Sequence, residues 1–527
     1  MSDGRSTRGR LGGLGALFFL GTLGAIAFYV QQQEVPRERD DVRKTATVLP
    51  EVVEEPAAPT LPWQDRLDLS AATLLPFGPT PSPGAPTPEA AADDGAAGAE
   101  QTEIVPGQAR LVQDIADGHR ILLTLDPVLQ DSALTIFRNR EVPYAAAVVL
   151  DLRDNSVLAL AGHSTMDPSV DPLEVVTAAW APAASTFKLV TTAALLDSQV
   201  STPSTRVCFH GGLHGIEDDD LRNDPARDTR CETLSDAVAH SYNLVIGKLA
   251  LQHLPQDTLL SMAKALRFET DIPFEIPVER SPAHIPADPV ERAKVAAGFW
   301  NVDLSPVHGA VLASIIARGG TYQPPHIIGQ VIGPDGTDLT PALPKPERVL
   351  SRDVAAAVGE MMVGTTRNGT ARKSFRDAQG TDYIPGVSVA AKTGSLTGKR
   401  APALNYNWFI GYAPADNPEI AFAVLLANEP KWRIKAHYAG RRLIQIYLER
   451  RTEIAQHRDA RLEPTALVLP ERDASGTLLS SSATPTEPAG TPTPEGAANT
   501  PTPAAEPAPV APLPPVPGDL PPPPSGS

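Results

Sequence analysis

The sequence predicts a mixed α and β fold, with a central antiparallel sheet flanked by helices and an all-helical lobe attached. Three observations carry that expectation. Two apolar, β-rich runs, 144–152 and 157–163, are separated only by Arg153-Asp154-Asn155-Ser156 and so read as a hairpin. Three later runs, 387–392, 407–412 and 420–426, have the same character and supply the remaining strands. Between the hairpin and these runs, apolar residues recur at helical spacing among caps and glycine stops.

Composition bounds the folded part. Of 527 residues 55 are proline, more than one compact fold of this length uses, and they cluster outside the middle region 109–463. That region is long enough to bury a large core. Ahead of it, residues 11–30 carry no charge, and as a helix they span about 30 Å, the hydrocarbon thickness of a bilayer. Arg5, Arg8 and Arg10 precede this run, which by the positive-inside rule leaves 1–10 cytoplasmic and sends the rest outward. The expected order is therefore a cytoplasmic N-terminus 1–10, a single-pass transmembrane signal anchor 11–30, a Pro-rich linker 31–108, the folded region 109–463 and a disordered Pro-rich tail 464–527. Ala25-Ile26-Ala27 has the small-x-small form of a cleavage site, so a cleaved signal peptide is the alternative. Either way the bulk of the chain lies outside the cytoplasm. A net charge of −17 with dispersed basic residues argues against nucleic acid as a partner.

Within the folded region Pro182 stands just before Ser185, and Leu189, Val190, Ala193, Ala194 and Leu196 continue with helical spacing. Ser185 is thus expected to open a buried helix, and Lys188, three residues on, to rise beside its hydroxyl. A serine hydroxyl is a poor nucleophile, and an adjacent amine that can lose its proton is what it lacks. Residues 233–240 and 244–251 both read as helices, which leaves Ser241-Tyr242-Asn243 at their connection, facing a cleft. Ser305, Pro306 and Gly319-Gly320 mark the cap, first turn and stop of a further helix with an Ala/Ile/Leu stripe. Lys392-Thr393-Gly394-Ser395 closes the strand run 386–391, with Gly394 removing a side chain where a ligand's backbone would approach. A last helix is expected over 436–456.

Cys208 and Cys231 are the only cysteines, and in an oxidising compartment they most simply form one disulfide around a polar loop that holds Glu217-Asp218-Asp219-Asp220. His210 and His214 complete a set of four zinc-type donors with them, which is the alternative reading. The exported location and Gly211-Gly212 favour the disulfide. No metal and no cofactor are expected.

Ser185-x-x-Lys188, Ser241-x-Asn243 and Lys392-Thr393-Gly394 each occur by chance in many chains. In this order they spell a serine acyl-transferase. Residues 121–447 resemble the transpeptidase domain of penicillin-binding proteins, through these motifs, Leu123-Thr124-Leu125-Asp126-Pro127 at the start and Asn407-Trp408-Phe409-Ile410-Gly411 after the third motif. The resemblance implies a β-lactamase/transpeptidase-like fold and a peptidoglycan D,D-transpeptidase that also binds β-lactams covalently. Catalytic roles would fall to Ser185, Lys188, Ser241, Asn243 and Lys392. Substrate binding would fall to Thr393, Gly394 and Ser395, and the oxyanion hole to the backbone N–H groups of Ser185 and Ser395. It further implies peptidoglycan stem peptides as substrate, the bacterial cytoplasmic membrane as location, and glycan supplied by a partner polymerase, since no glycosyltransferase domain is expected ahead of residue 108. Pro182-Ala183-Ala184 stands where the family commonly has Pro-Gly before the nucleophile, which would shift the helix entrance. Two alternatives remain open: a D,D-carboxypeptidase with the same residues and water as acceptor, and a non-turnover β-lactam sensor or scaffold.

Overall fold

The computed structural model describes residues 67–76, 109–212, 215–398, 403–430, 433–459 and 461–462. The predicted cytoplasmic segment, anchor and tail, most of the linker, and His214 lie outside the described residues. Among those described, no helix is long and apolar enough to cross a membrane.

The chain runs through β1 (Thr73–Pro76), β2 (Ala109–Asp114), β3 (Arg120–Leu123) and α1 (Pro127–Asn139) into the hairpin of β4 (Tyr144–Asp151) and β5 (Ser156–Ser164). A largely helical stretch follows, with α2 (Pro172–Thr177), β6 (Ala181–Pro182), α3 (Lys188–Asp197), β7 (Arg206–Phe209), β8 (Arg230–Thr233), α4 (Leu234–His240), α5 (Asn243–His253), α6 (Gln256–Ala265) and α7 (Pro289–Ala296). Next come β9 (Asp303–Leu304), α8 (Pro306–Ala317), β10 (Thr321–Tyr322), β11 (Ile328–Ile332), β12 (Glu347–Arg348), α9 (Arg352–Arg367) and α10 (Arg372–Phe375). The described elements close with β13 (Ala390–Thr397), β14 (Asn405–Ala413), β15 (Ile420–Asn428) and α11 (Ala436–Asp459).

The central sheet has the order β13-β14-β15-β4-β5, antiparallel throughout, with Val148 opposite Ala423 at the seam between early and late strands. Its strands read as unbroken apolar runs because both faces are covered. Alternate residues of the seam strands, Ala146, Val148, Leu150, Ala423 and Leu425, share one core with Val307 and Val311 of α8. The intervening residues Ala147, Val149, Phe422 and Val424 share a second core with Leu129 and Phe137 of α1 and Leu443 of α11. Each fully buried Val, Leu or Phe contributes roughly 1.5–3 kcal/mol, so these two cores fix the sheet on which the site is built. Helix α8 forms as its sequence predicts: the Ser305 hydroxyl accepts from the His308 amide at 3.2 Å, Pro306 occupies the first turn, and Gly319 and Gly320 leave the helix at positive φ.

Three expectations need correction. Residues 67–76 were expected within an unpacked linker, but β1 pairs with β2 at the edge of a four-stranded sheet, β1-β2-β3-β11. A four-residue strand ending in proline gives no periodic signal, and its partner is remote in sequence. The strand expected over 387–392 begins later and runs further, from Ala390 to Thr397, so Lys392-Thr393-Gly394 lies within it and not at its end. Its pairing starts with Ala390 opposite Tyr412, and Gly386, at φ 74°, turns the chain just ahead of it. Ser185 does not open the α-helix: it sits in a 3-10 turn, Ala184–Phe187, from which α3 continues.

The lobe of α3 to α7 carries the β7–β8 hairpin, in which Cys208 and Cys231 are directly opposed and joined by a disulfide. Both sulfurs are thereby withdrawn from metal binding. His210 instead meets Asp228, Nδ1 to Oδ1 at 2.5 Å. Lys248 of α5, fully buried, donates to the Cys208 carbonyl and to Asp228, each at 3.1 Å. Desolvation alone would raise the Asp228 carboxyl, but bonds from His210, the Asp224 amide and Lys248 hold it down at about 2. The loop therefore has an ionic anchor beneath its covalent one.

Candidate active site

The nucleophile turn is shaped by backbone constraints on three sides. Ala184 sits at φ 49°, the left-handed region where an alanine costs about 1–2 kcal/mol, one residue before Ser185. Its carbonyl packs on Gly298, itself at φ 89°, where a Cβ would fall 2.4 Å from that oxygen. Gly394 of β13 closes the third side: a Cβ there would lie 3.1–3.3 Å from Thr186, Trp408 and the Ala183 carbonyl. Within the protein, what approaches Gly394 is the nucleophile turn. Gly394→Ala is expected to cost about 1–3 kcal/mol by overpacking, read as a lowered denaturant midpoint at unchanged slope. The Trp408 indole, donating to the Pro182 carbonyl at 2.9 Å, ties β14 to the same turn.

In a 3-10 turn side chains three apart eclipse, which brings Lys188 closer to Ser185 than an α-helix would. The Lys188 amine lies 2.6 Å from the Ser185 hydroxyl, 2.7 Å from Asn243 Oδ1 and 2.6 Å from the Ala297 carbonyl. It is fully buried. Burial drives this amine well below the ordinary lysine range, and the charge of Lys392 pushes the same way. Lys392 is also fully buried, which alone lowers it to about 7, and it donates to the Ser241 hydroxyl at 2.9 Å and the Thr393 carbonyl at 2.8 Å. Ser241 caps α4 in the left-handed conformation, φ 60°, so its hydroxyl and Asn243, the first residue of α5, turn toward one cleft.

That cleft holds about 410 Å³ and is lined by Ser185, Ser241, Asn243, Thr393 and Ser395, with both lysines bonded to groups in its wall. All the motif residues singled out in the sequence therefore meet at one place. The arrangement offers a hydroxyl nucleophile, an amine able to take its proton, and a second hydroxyl in contact with an acid near neutrality.

Several further residues of the site were given no role there by the sequence reading. Ala297, Gly298 and Phe299 back the nucleophile, and Thr370 reaches Thr393, hydroxyl to hydroxyl, at 2.6 Å. Asn407 donates from Nδ2 to Ser395 Oγ at 2.8 Å and accepts the Ala436 amide at 2.6 Å, which fixes Ser395 against the start of α11. His437 lines the far wall, its Nδ1 2.6 Å from Ser374 Oγ. Desolvation and the charge of Lys435 lower the His437 ring to about 4, so it is neutral at pH 7.

Known proteins share this sequence pattern and fold. The family model described as penicillin binding protein transpeptidase domain matches residues 145–445, more than half of the chain. The peptidoglycan D,D-transpeptidase PbpA of Mycobacterium tuberculosis is 28% identical over 315 residues, covering 54% of this chain and 62% of the relative. The peptidoglycan D,D-transpeptidase MrdA of Haemophilus influenzae is 26% identical over 383 residues, covering 63% of this chain and 57% of the relative. The chain thus spans less than two thirds of the length of these two curated relatives. Among solved structures, PBPA from Mycobacterium tuberculosis superposes with a TM-score of 0.53 at 25% identity, over 62% of this chain and 80% of that one. Its imipenem acyl-enzyme complex gives 0.52 at the same identity, over 62% and 79%.

Proposed function

The chain belongs to the penicillin-binding protein transpeptidase family, and on that premise we propose that it is a serine D,D-transpeptidase acting on peptidoglycan stem peptides that end in D-alanyl-D-alanine. The single observation that carries the reading is the Lys188 amine, buried and 2.6 Å from the Ser185 hydroxyl. Ser185 Oγ attacks the penultimate D-alanine carbonyl carbon as its proton passes to neutral Lys188. The carbonyl oxygen takes the negative charge, facing the backbone N–H groups of Ser185 and Ser395, a type of contact worth several kcal/mol in comparable sites. The C–N bond to the terminal D-alanine then breaks. Its amine takes a proton from Ser241, which recovers one from Lys392. An amine of a neighbouring stem peptide attacks the acyl-enzyme, the protons return by the same route, and a cross-link results. A β-lactam would enter the same first step and stay bound as an acyl-enzyme.

Asn243 would hold the donor's amide and orient Lys188, while Thr393 and Ser395 would receive the donor's terminal carboxylate. The disulfide supports a location outside the reducing cytoplasm, and the uncharged run 11–30 would anchor the chain there.

The test is intact-mass and peptide mapping after benzylpenicillin, followed by incubation with a D-alanyl-D-alanine peptide and a labelled D-amino acid. The expected result is one adduct on the peptide holding Ser185 and incorporation of the label. Release of D-alanine to water alone would make the protein a carboxypeptidase. An adduct without any turnover would make it a sensor, and no adduct at Ser185 would overturn the reading.

A further inference from the structure

We propose that Thr370 is a positioning residue that couples the donor-carboxylate subsite at Thr393 to the Ser241 element, so that selectivity for a free carboxylate runs through it. The inference rests on the reading of the site given above. Thr370 stands exposed on the cleft wall, at the corner between α9 and α10. Its backbone N–H donates to the Ala239 carbonyl at 3.1 Å, two residues before Ser241. The corner is pressed onto α4 by missing side chains. A Cβ at Gly369 would fall 2.0 Å from that same Ala239 oxygen, and one at Gly364 would fall 2.8 Å from the Ala239 Cβ. The Ala371 amide, bonded to the Thr365 carbonyl at 2.9 Å, holds the corner to the end of α9. From this backbone-locked position the Thr370 hydroxyl crosses to Thr393 Oγ1 at 2.6 Å.

A hydroxyl has one proton and a freely turning rotor. Thr393 can donate to a carboxylate and satisfy its own oxygen only if a neighbour donates to it, and Thr370 is placed to do so. The resulting chain, Thr370 O–H to Thr393 O–H to carboxylate, is polarised in one direction, each bond strengthening the next. Without the Thr370 hydroxyl, Thr393 loses both the donor and the constraint on its rotor. Because the same corner holds the end of α4, a bound carboxylate also steadies the Ser241 hydroxyl.

The experiment compares benzylpenicillin with its methyl ester, using the full chain and following the acylation rate by mass spectrometry for wild type, Thr370→Val and Thr370→Ser. The expected result is a loss of about tenfold for Thr370→Val with the free acid, near-unchanged rates with the ester, and recovery of most of the loss in Thr370→Ser. Equal losses on acid and ester would mark a merely structural role and overturn the inference. So would a Thr370→Ser variant as slow as Thr370→Val, or a Thr370→Val variant that reacts with the acid at the wild-type rate. Wild type that forms no adduct with either compound would overturn the function itself, and this inference with it.

Discussion

Lys188→Met is expected to lower the rate of penicillin acylation at least about a thousand-fold while the chain stays folded. The amine is 2.6 Å from the hydroxyl whose proton it must take, and methionine fills much the same volume with no basic atom. The substitution strands two acceptors, Asn243 Oδ1 and the Ala297 carbonyl, at about 1–3 kcal/mol each. Against this it relieves the chain of a desolvated amine, a cost of similar order, so the melting temperature should move by only a few degrees. Lys188→Arg makes the complementary case, because a guanidinium keeps its proton at any accessible pH and should be equally inactive. Labelling with a fluorescent penicillin, run beside thermal melts of the same samples, checks both. Wild-type labelling in either folded variant would remove Lys188 from the role of base.

The second large effect is in pH. Below the depressed range of Lys188 the base is protonated and acylation falls, and as Lys392, near 7, loses its proton the Ser241 relay fails. The acylation rate is therefore expected to be bell-shaped, with apparent limits that belong to the coupled pair of amines. The same shift has a consequence for stability. An unfolded lysine titrates near 10.5 and Lys392 in the fold near 7. Between these values the unfolded chain binds more protons, so stability rises with pH, by at most about 1.4 kcal/mol per pH unit. Below about 7 both states hold the proton and the penalty is complete, whereas above 10.5 neither does and it is gone. Urea unfolding of wild type and Lys392→Met at pH 7, 8 and 9 isolates this contribution. The difference should move in favour of wild type as pH rises, whatever its starting value, and a flat difference would mean that Lys392 is not depressed in the fold.

The parts of this site that were legible in the sequence are those written in local spacing. Ser185 and Lys188 are three residues apart, Ser241 and Asn243 interrupt two helical periods, and Ser305-Pro306 with Gly319-Gly320 bracket one helix. The 144–152 and 157–163 hairpin alternates into two cores and so carried its own β signal. Thr370 and Gly298 were missed because each acts through a partner on another element, Thr393 and Ala184 respectively, whereas Asn407 was read as a strand residue without its bond to Ser395, the residue opposite it on β13. Asn368-Gly369-Thr370 does mark a turn, but nothing local says that the turn meets β13. Gly394 was singled out for a ligand's approach without its neighbour in the protein, the nucleophile turn, since a glycine announces a close approach without saying what approaches. Strand β1 was lost for lack of length, and Ser185's 3-10 turn because helical spacing does not separate three residues per turn from 3.6.

The seam between β15 and β4 joins segments on the order of 270 residues apart, with the lobe that bears Ser185 and Ser241 threaded between them. A chain delivered N-terminus first has its nucleophile long before it has β13, which lines the cleft, and β15, which joins β13 and β14 to the hairpin. Until β15 arrives, β4 presents an unpaired apolar edge on both faces, a hazard for sticking to other chains. A copy cut short before β13 lacks Lys392, Thr393 and Ser395, so the cleft exists only once the C-terminal strands have joined a lobe made far earlier.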